Sequence, residues 1–384
     1  MPNSGLSSAI VPATISFPQQ DLDDLRTRLR MTRWPDEISD AGWEYGIPLA
    51  TAKSLAEYWL DGYDWRLHER TLNDFPQYTT TIDGACIHFL HIRSAEANAL
   101  PLIITHGWPG SVIEFLRVIG PLTDPVAHGG SAADAFHLVI PSIPGFGFSG
   151  PTTEKGWGVR RVAEAWNVLM ARLGYERYGA QGGDWGSRIS RVLGEIDPEH
   201  VVGTHVNFLR VAPPTDPVEI AALSTKDQAA VARMAQFEAD GRGYSAIQGT
   251  RPQTLAYALV DSPVGQLAWI AEKFEAWSDP SIEIDRDWLL TNVTIYWLTR
   301  TAGSSARLYL DFRLPLSASE PALSSTPLGV AIFPHEIVPP IRSIVERTHN
   351  VVHWSEFDRG GHFAAVEVPE LLVGDVRKFF RELR

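Results

Sequence analysis

The 384-residue sequence predicts an α/β protein: a mostly parallel central sheet with helices on both faces, preceded by a helical N-terminal segment and interrupted by a helical insertion. Three observations carry this. Short β-rich runs alternate with amphipathic helical stretches between residues 78 and 210, the pattern of a parallel sheet covered on both sides. The alternation stops after "VVGTHVNFL" and resumes at "LGVAIFP", so a long helical stretch separates two parts of one sheet. The composition, 44% hydrophobic and 21% charged, is that of an ordinary globular chain long enough to bury a large core.

Taken in order, residues 1–77 read as a helical segment. "QQDLDDLRTRLRMTRW" places Leu22, Leu25 and Leu29 at helical spacing, and "LATAKSLAEYWLDGYDW" follows a Gly-Ile-Pro break. Residues 78–210 open with "YTTTID" and "IHFLHIRS", joined at Asp83-Gly84 as a hairpin. Then come "LIITHG", a helix near Val112 to Ile119, "FHLVIPSIPG", a helix near Val159 to Leu173, "YERYGAQGGD" and a helix from Trp185. Val162, Trp166, Leu169, Met170 and Leu173 share one stripe, as a core-facing helix requires. Residues 211–325 read as the helical insertion. Residues 326–384 return to the sheet and close with a helix in which Leu372, Val376, Phe379 and Phe380 share a face.

Formal net charge is -13, and the 33 Lys and Arg are scattered, so no surface is marked for phosphate and nucleic-acid binding is not expected. The single cysteine, Cys86, excludes an internal disulfide framework and suits a reducing compartment. The N-terminus shows neither the basic n-region of a signal peptide nor an apolar anchor, and a cytoplasmic protein is expected. Oligomeric state is not legible, and a homodimer is compatible with the chain. Of the thirteen tryptophans, most are expected in the core and some around an apolar cavity.

In an open parallel sheet, the loops at the carboxyl ends of strands meet along one edge, where ligands bind. "HGWPGS", "PGFGFSG", "GGDWGS" and "FPHEIVP" all follow predicted strands, and "RGGHFAA" follows the last one. Asp184, Glu336 and His362 therefore come in the order nucleophile, acid, histidine, which matches the Ser, Asp/Glu, His order of α/β-hydrolases with aspartate in place of serine. A carboxylate is ionised at neutral pH without a base and displaces a leaving group from an sp³ carbon, where a serine alkoxide suits an acyl carbon. Asp358 is a nearby competitor to Glu336, and His106 reads as a turn-stabilising residue. "GFGFSG" satisfies G-x-G-x-x-G, but Pro151 follows where a dinucleotide fold opens its helix, so no cofactor is expected. "HEIVP" has Pro339 where the zinc-protease motif has histidine, and no metal is expected.

From "RTRLRMTRWPDE" through "HGWPGS", "GGDWGS" and "GYSAIQGTRPQT" to "RGGHFAA", the chain resembles a microsomal-type epoxide hydrolase of the α/β-hydrolase fold. The resemblance implies a helical N-terminal segment packed on the core and a helical lid inserted after the sixth strand; this chain departs from membrane-bound relatives in lacking an apolar N-terminal anchor. It implies Asp184 as nucleophile, His362 as base and Glu336 as its orienting acid. Trp108 and Trp185 supply the position-matched backbone N–H groups of an oxyanion hole. Tyr244 in "GRGYSAIQ" and Tyr309 in "SSARLYLDF" match the two lid tyrosines that protonate the opening epoxide, giving a vicinal diol from epoxide and water. Haloalkane dehalogenase is the nearest alternative, since it shares the aspartate, the histidine and a tryptophan after the nucleophile, but it needs no proton donor. A catalytically silent ligand-binding protein of the same fold is the alternative from a different class.

Overall fold

A computed structural model describes residues 8–313 and 324–384. The helical N-terminal segment contains helices α1 (Gln19–Arg30), α2 (Leu49–Asp61) and α3 (Trp65–Asn73). It departs from the sequence expectation in two places. Residues 31–48 are irregular, with Asp40, Gly42 and Gly46 at positive φ, because Pro35, Pro48 and the glycines break the helical run. A two-residue strand, β1 (Val11–Pro12), pairs antiparallel with the next strand.

Strands β2 (Gln77–Ile82) and β3 (Ala85–Ile92) form the expected hairpin, with Asp83 at φ 48° and Gly84 at φ 79° at its turn. Two consecutive positive φ values match the right-handed twist of the strands they join. Strand β4 (Leu100–Thr105), helix α4 (Leu116–Thr123), β5 (Phe136–Pro141), α5 (Val159–Arg172), β6 (Tyr178–Gly182), α6 (Asp184–Ile196) and β7 (Val201–Val206) alternate as expected. Val112–Phe115 is a tighter 3₁₀ turn ahead of α4. Between β7 and the next strand lie α7 (Pro217–Ala222), α8 (Thr225–Gln236), α9 (Gly243–Gln248), α10 (Pro252–Asp261), α11 (Pro263–Trp277), α12 (Arg286–Thr299) and α13 (Ala302–Arg313). Part of the stretch expected as insertion, 314–323, lies outside the described residues, as do residues 1–7. The sheet resumes with β8 (Ser324–Ile332), followed by α14 (Arg342–Val345), β9 (His349–Glu356), α15 (Ala364–Glu367) and α16 (Pro369–Arg381).

The nine strands run in the order β1-β2-β3-β5-β4-β6-β7-β8-β9, antiparallel up to the β3–β5 pair and parallel beyond it. The helical block leaves the sixth strand of this sheet if the short β1 is not counted. Val162, Trp166, Leu169 and Met170 of α5 pack with Ile189 and Leu193 of α6 on one face; Leu173 is only half-buried. Val118, Ile119 and Leu122 of α4 pack with Leu372, Val376, Phe379 and Phe380 of α16 on the other. Burying a side chain of this size contributes roughly 1.5–3 kcal/mol, so both layers are anchored by aligned apolar stripes.

The N-terminal segment also reaches the helical block. Trp59 donates its indole N–H to Thr294 at 2.9 Å, the Tyr58 hydroxyl donates to Asp287 at 2.8 Å, and Arg28 pairs with Asp261 at 2.8 Å. Tyr63 and Thr291 share a further hydroxyl contact of 3.1 Å.

Candidate active site

All five sequence motifs meet at the carboxyl edge of the parallel strands. Asp184 follows β6 directly and opens α6 with φ 46°, a left-handed conformation rare outside glycine. The flanking glycines are required by space. A β-carbon on Gly186 would lie 1.8 Å from the Thr105 carbonyl oxygen, and one on Gly182 would lie 2.3 Å from the Gly186 carbonyl carbon. Strand and helix therefore cross closely enough to expose the aspartate on a sharp elbow.

The Asp184 carboxylate is held from two sides. The Trp108 backbone N–H donates to its Oδ1 at 2.8 Å, while Oδ2 stands 3.4 Å from His362 Nε2. The other imidazole nitrogen, Nδ1, is 2.6 Å from Glu336 Oε1, and both residues are buried. Burial disfavours the His362 imidazolium, but the carboxylates of Glu336 and Asp184 outweigh it and hold its pKa well above the ordinary value. Glu336 also accepts from the Ile337 backbone N–H at 2.7 Å. Asp358, the competing carboxylate, is 90% exposed and its nearest cation is Arg359 at 3.9 Å. The first turn of α6 leaves its N–H groups without helical acceptors, and the Trp185 N–H is among them.

Tyr244 in α9 and Tyr309 in α13 come from the helical block yet lie on the same site. Their rings are 5.8 Å apart; Tyr244 stacks on Trp108 at 5.2 Å, and Tyr309 meets Trp185 edge-on at 4.7 Å. Trp277 closes the wall, 5.3 Å from Tyr244 and 5.2 Å from His362. Burial, reinforced by the Asp184 charge, pushes both tyrosine pKa values above the ordinary range, so both hydroxyls keep their protons at neutral pH. The site thus combines the Asp184 carboxyl, a polarised histidine and two neutral O–H groups within aromatic walls.

His106 is buried as a loop support: its Nδ1 is 3.0 Å from the Gly107 carbonyl and its Nε2 accepts from the Ile143 N–H at 3.2 Å. Burial lowers its pKa to about 4, which keeps it neutral.

One residue escaped the sequence reading. The Glu114 carboxyl lies so close to Gly110 that a β-carbon there would fall 1.4 Å from its oxygen. Burial pushes its pKa up to about 8; the His362 charge opposes that shift and the Asp184 charge adds to it. Glu114 is therefore a further carboxyl coupled to the site, beside Asp184 and Glu336, and mostly neutral near pH 7. Its only sequence signal is a carboxylate inside the apolar run "VIEF". A cavity of about 970 Å³, lined by Trp34, Ile47, Pro263 and Val264 among others, lies against residues 31–49 and touches none of the triad.

Comparison with known proteins bears on the family and the fold. A family profile described as "Epoxide hydrolase N terminus" matches residues 10–115, and one described as "alpha/beta hydrolase fold" matches residues 101–205. A Stigmatella aurantiaca protein, provisionally named an epoxide hydrolase, is 49% identical over 98% of this chain and 86% of its own length. Epoxide hydrolase 1 of Sus scrofa is 33% identical over 98% of this chain and 90% of its own. The structure of Aspergillus niger epoxide hydrolase superposes with a TM-score of 0.87 at 34% identity, covering 99% of this chain and 98% of that one. Among the described residues no helix is long and apolar enough to cross a membrane. With such identity sustained from end to end, on a shared fold, the chain belongs to the epoxide hydrolase family and is a hydrolase of the α/β-hydrolase fold.

Proposed function

We propose that the site converts an epoxide and water to a vicinal diol through a covalent ester on Asp184. The observation that carries this reading is the grip on the carboxylate: the Trp108 N–H holds Oδ1 and leaves Oδ2 to attack. Oδ2 bonds to one oxirane carbon, that carbon's C–O bond breaks, and the departing alkoxide takes a proton from Tyr244 or Tyr309. A positioned donor of this kind contributes roughly 10²- to 10⁴-fold. Esterification removes the Asp184 charge, one of the two that raise the His362 pKa, so the histidine moves toward its neutral, basic form when a base is needed.

His362 then takes a proton from water as the water attacks the Asp184 carbonyl carbon, with Glu336 fixing and compensating the imidazolium. The oxyanion forms on Oδ1 before the N–H groups of Trp108 and Trp185. Collapse releases the diol, which takes its proton from His362, and the proton left on the Asp184 carboxyl restores the tyrosine through solvent. The net reaction consumes one water and no cofactor. In the same reading, residues 211–325 act as the lid that carries the acids, residues 1–77 pack around the core and lid, residues 78–210 and 326–384 form the core, and the protein works in the cytoplasm.

Single turnover in ¹⁸O-water tests the proposal. The label is expected in the Asp184 peptide, with the first-formed diol unlabelled. Label passing straight to the diol, with a light peptide, refutes the covalent route.

A further inference from the structure

Two buried carboxyl groups outside the triad bracket the loop that carries His362. Glu367 closes α15, and Asp279 stands just beyond the end of α11. Glu367 spends one oxygen on each side of the seam between loop and helix. Its Oε1 accepts from the Phe363 backbone N–H at 2.9 Å, and its Oε2 accepts from the Asp279 backbone N–H at 2.7 Å. Asp279 reaches back across the same seam: its Oδ2 accepts from the Gly360 N–H at 2.8 Å, while its Oδ1 accepts from the Ser281 N–H at 2.9 Å. Between these contacts the His362 N–H donates to the Trp277 carbonyl at 2.9 Å.

The seam leaves no slack. A β-carbon on Gly361 would fall 2.6 Å from the Trp277 carbonyl oxygen, 2.9 Å from the Asp279 nitrogen and 3.0 Å from Glu367 Oε2, and Gly360 takes a φ of 95°. The Gly360 carbonyl accepts from the His335 N–H at 3.1 Å, which joins the segment bearing Glu336 to the same loop. On the helix side, the Trp277 ring lies 5.2 Å from His362 and 5.3 Å from Tyr244. The last turn of α11 therefore supports the histidine and one of the tyrosines together. Burial pushes the Glu367 pKa up to about 7, and the two N–H donors pull it back by favouring the carboxylate.

We propose that Glu367 and Asp279 are positioning residues for His362, holding it against the helix that also backs Tyr244, so that the helical block governs hydrolysis of the ester as well as ring opening. A general base works only within hydrogen-bond reach of the proton it takes, and a misplacement of about 1 Å can cost about 10²-fold. Ring opening does not share this dependence, because the Trp108 N–H orients Asp184 from the opposite side. The inference rests on the reading of Asp184 as the residue that is alkylated, and it adds the groups that place the base for the second step.

Glu367→Gln is the sharpest test, since an amide of the same size has one acceptor oxygen and cannot receive both N–H groups. Quenched single-turnover mass spectrometry with an aryl epoxide reads the two steps separately. Alkylation of Asp184 is expected to stay within about threefold, while hydrolysis of the ester slows by about 10- to 100-fold. The adduct then accumulates, and kcat and KM fall together with kcat/KM nearly unchanged. Asp279→Asn, which weakens the Gly360 side of the bracket, is expected to show the same split and decides the matter if Glu367→Gln does not fold. Hydrolysis at the unmodified rate in the folded variants overturns the proposal. Loss of both steps by the same factor assigns the two carboxyl groups to fold maintenance alone and also overturns it. If the unmodified enzyme forms no adduct on Asp184, the reading of Asp184 falls first and this inference with it.

Discussion

Replacing His362 with glutamine should separate the two halves of the reaction. The Trp108 N–H to Asp184 Oδ1 bond of 2.8 Å does not depend on the imidazole, so the nucleophile stays oriented and alkylation continues. Hydrolysis loses its base, an effect of about 10²- to 10⁴-fold. Taking about 10 s⁻¹ as an ordinary turnover rate, the ester would then persist for roughly seconds to ten minutes, long enough to trap. The side chain is ringed by Phe208, Trp277 and Phe363 at centroid distances of 5.3, 5.2 and 5.0 Å, so glutamine fills most of the space but leaves a flexible group there. The main-chain bond from the His362 N–H to the Trp277 carbonyl is kept. Intact-mass spectrometry after mixing with excess epoxide should show one added substrate mass per chain, and peptide mapping should place it on Asp184. A fully active variant with no mass increase would refute the assignment of His362 as base, and an adduct on any other residue would refute that of Asp184.

Replacing both Tyr244 and Tyr309 with phenylalanine should slow single-turnover alkylation by at least about 10²-fold, measured by quenched mass spectrometry. Because both tyrosine pKa values are raised, the unmodified enzyme should show no alkaline loss of alkylation from tyrosine ionisation below about pH 10. Glu336→Gln should cut steady-state turnover by about 10³- to 10⁴-fold by releasing the imidazole it holds, whereas Asp358→Asn, at an exposed position, should stay within about twofold; the opposite ranking in kcat would exchange their roles. Asp375 offers a stability test away from the site, where His205, His353 and Ser355 converge on it at 2.9, 2.8 and 2.5 Å. Burial opposes its charge, but the hydrogen bonds, His205 first, hold its pKa well below the usual carboxylate range. The stabilisation is therefore present above the unfolded carboxylate pKa of about 4 and is lost as pH falls toward the depressed folded value. Urea unfolding should show Asp375→Asn destabilised by about 3 kcal/mol at pH 7, with the gap from the unmodified protein narrowing as the solution is acidified below pH 4.

The legible parts of this chain are those where one residue type meets a strict local demand. The glycines around Asp184 announce an elbow because no β-carbon fits there, and the apolar stripes of α5 and α16 announce which faces are buried. The left-handed backbone of Asp184 is another matter: its φ of 46° comes from the crossing of β6 and α6, which no spacing rule encodes. Strand β1 escaped because two residues carry no alternation; it exists through its pairing with Tyr78 and Thr79. The choice of Glu336 over Asp358 and the relevance of the two tyrosines came from motif resemblance. Their convergence depends on a helical block packing over the sheet edge, a long-range event. Glu114 stayed hidden for the same reason, since what distinguishes it is its surroundings in space.

The hydrogen bonds that tie the first two helices and the turn after them to Asp261, Asp287, Thr291 and Thr294 bear on how substrate comes and goes. A cover fastened to the sheet only through its own two chain ends swings on them like a flap. Here the roof is also stitched down along its outer side, so opening it would break several polar contacts at once. A swing of the whole roof away from the carboxylate therefore carries the cost of all those contacts together, which a cover held only at its ends would not bear.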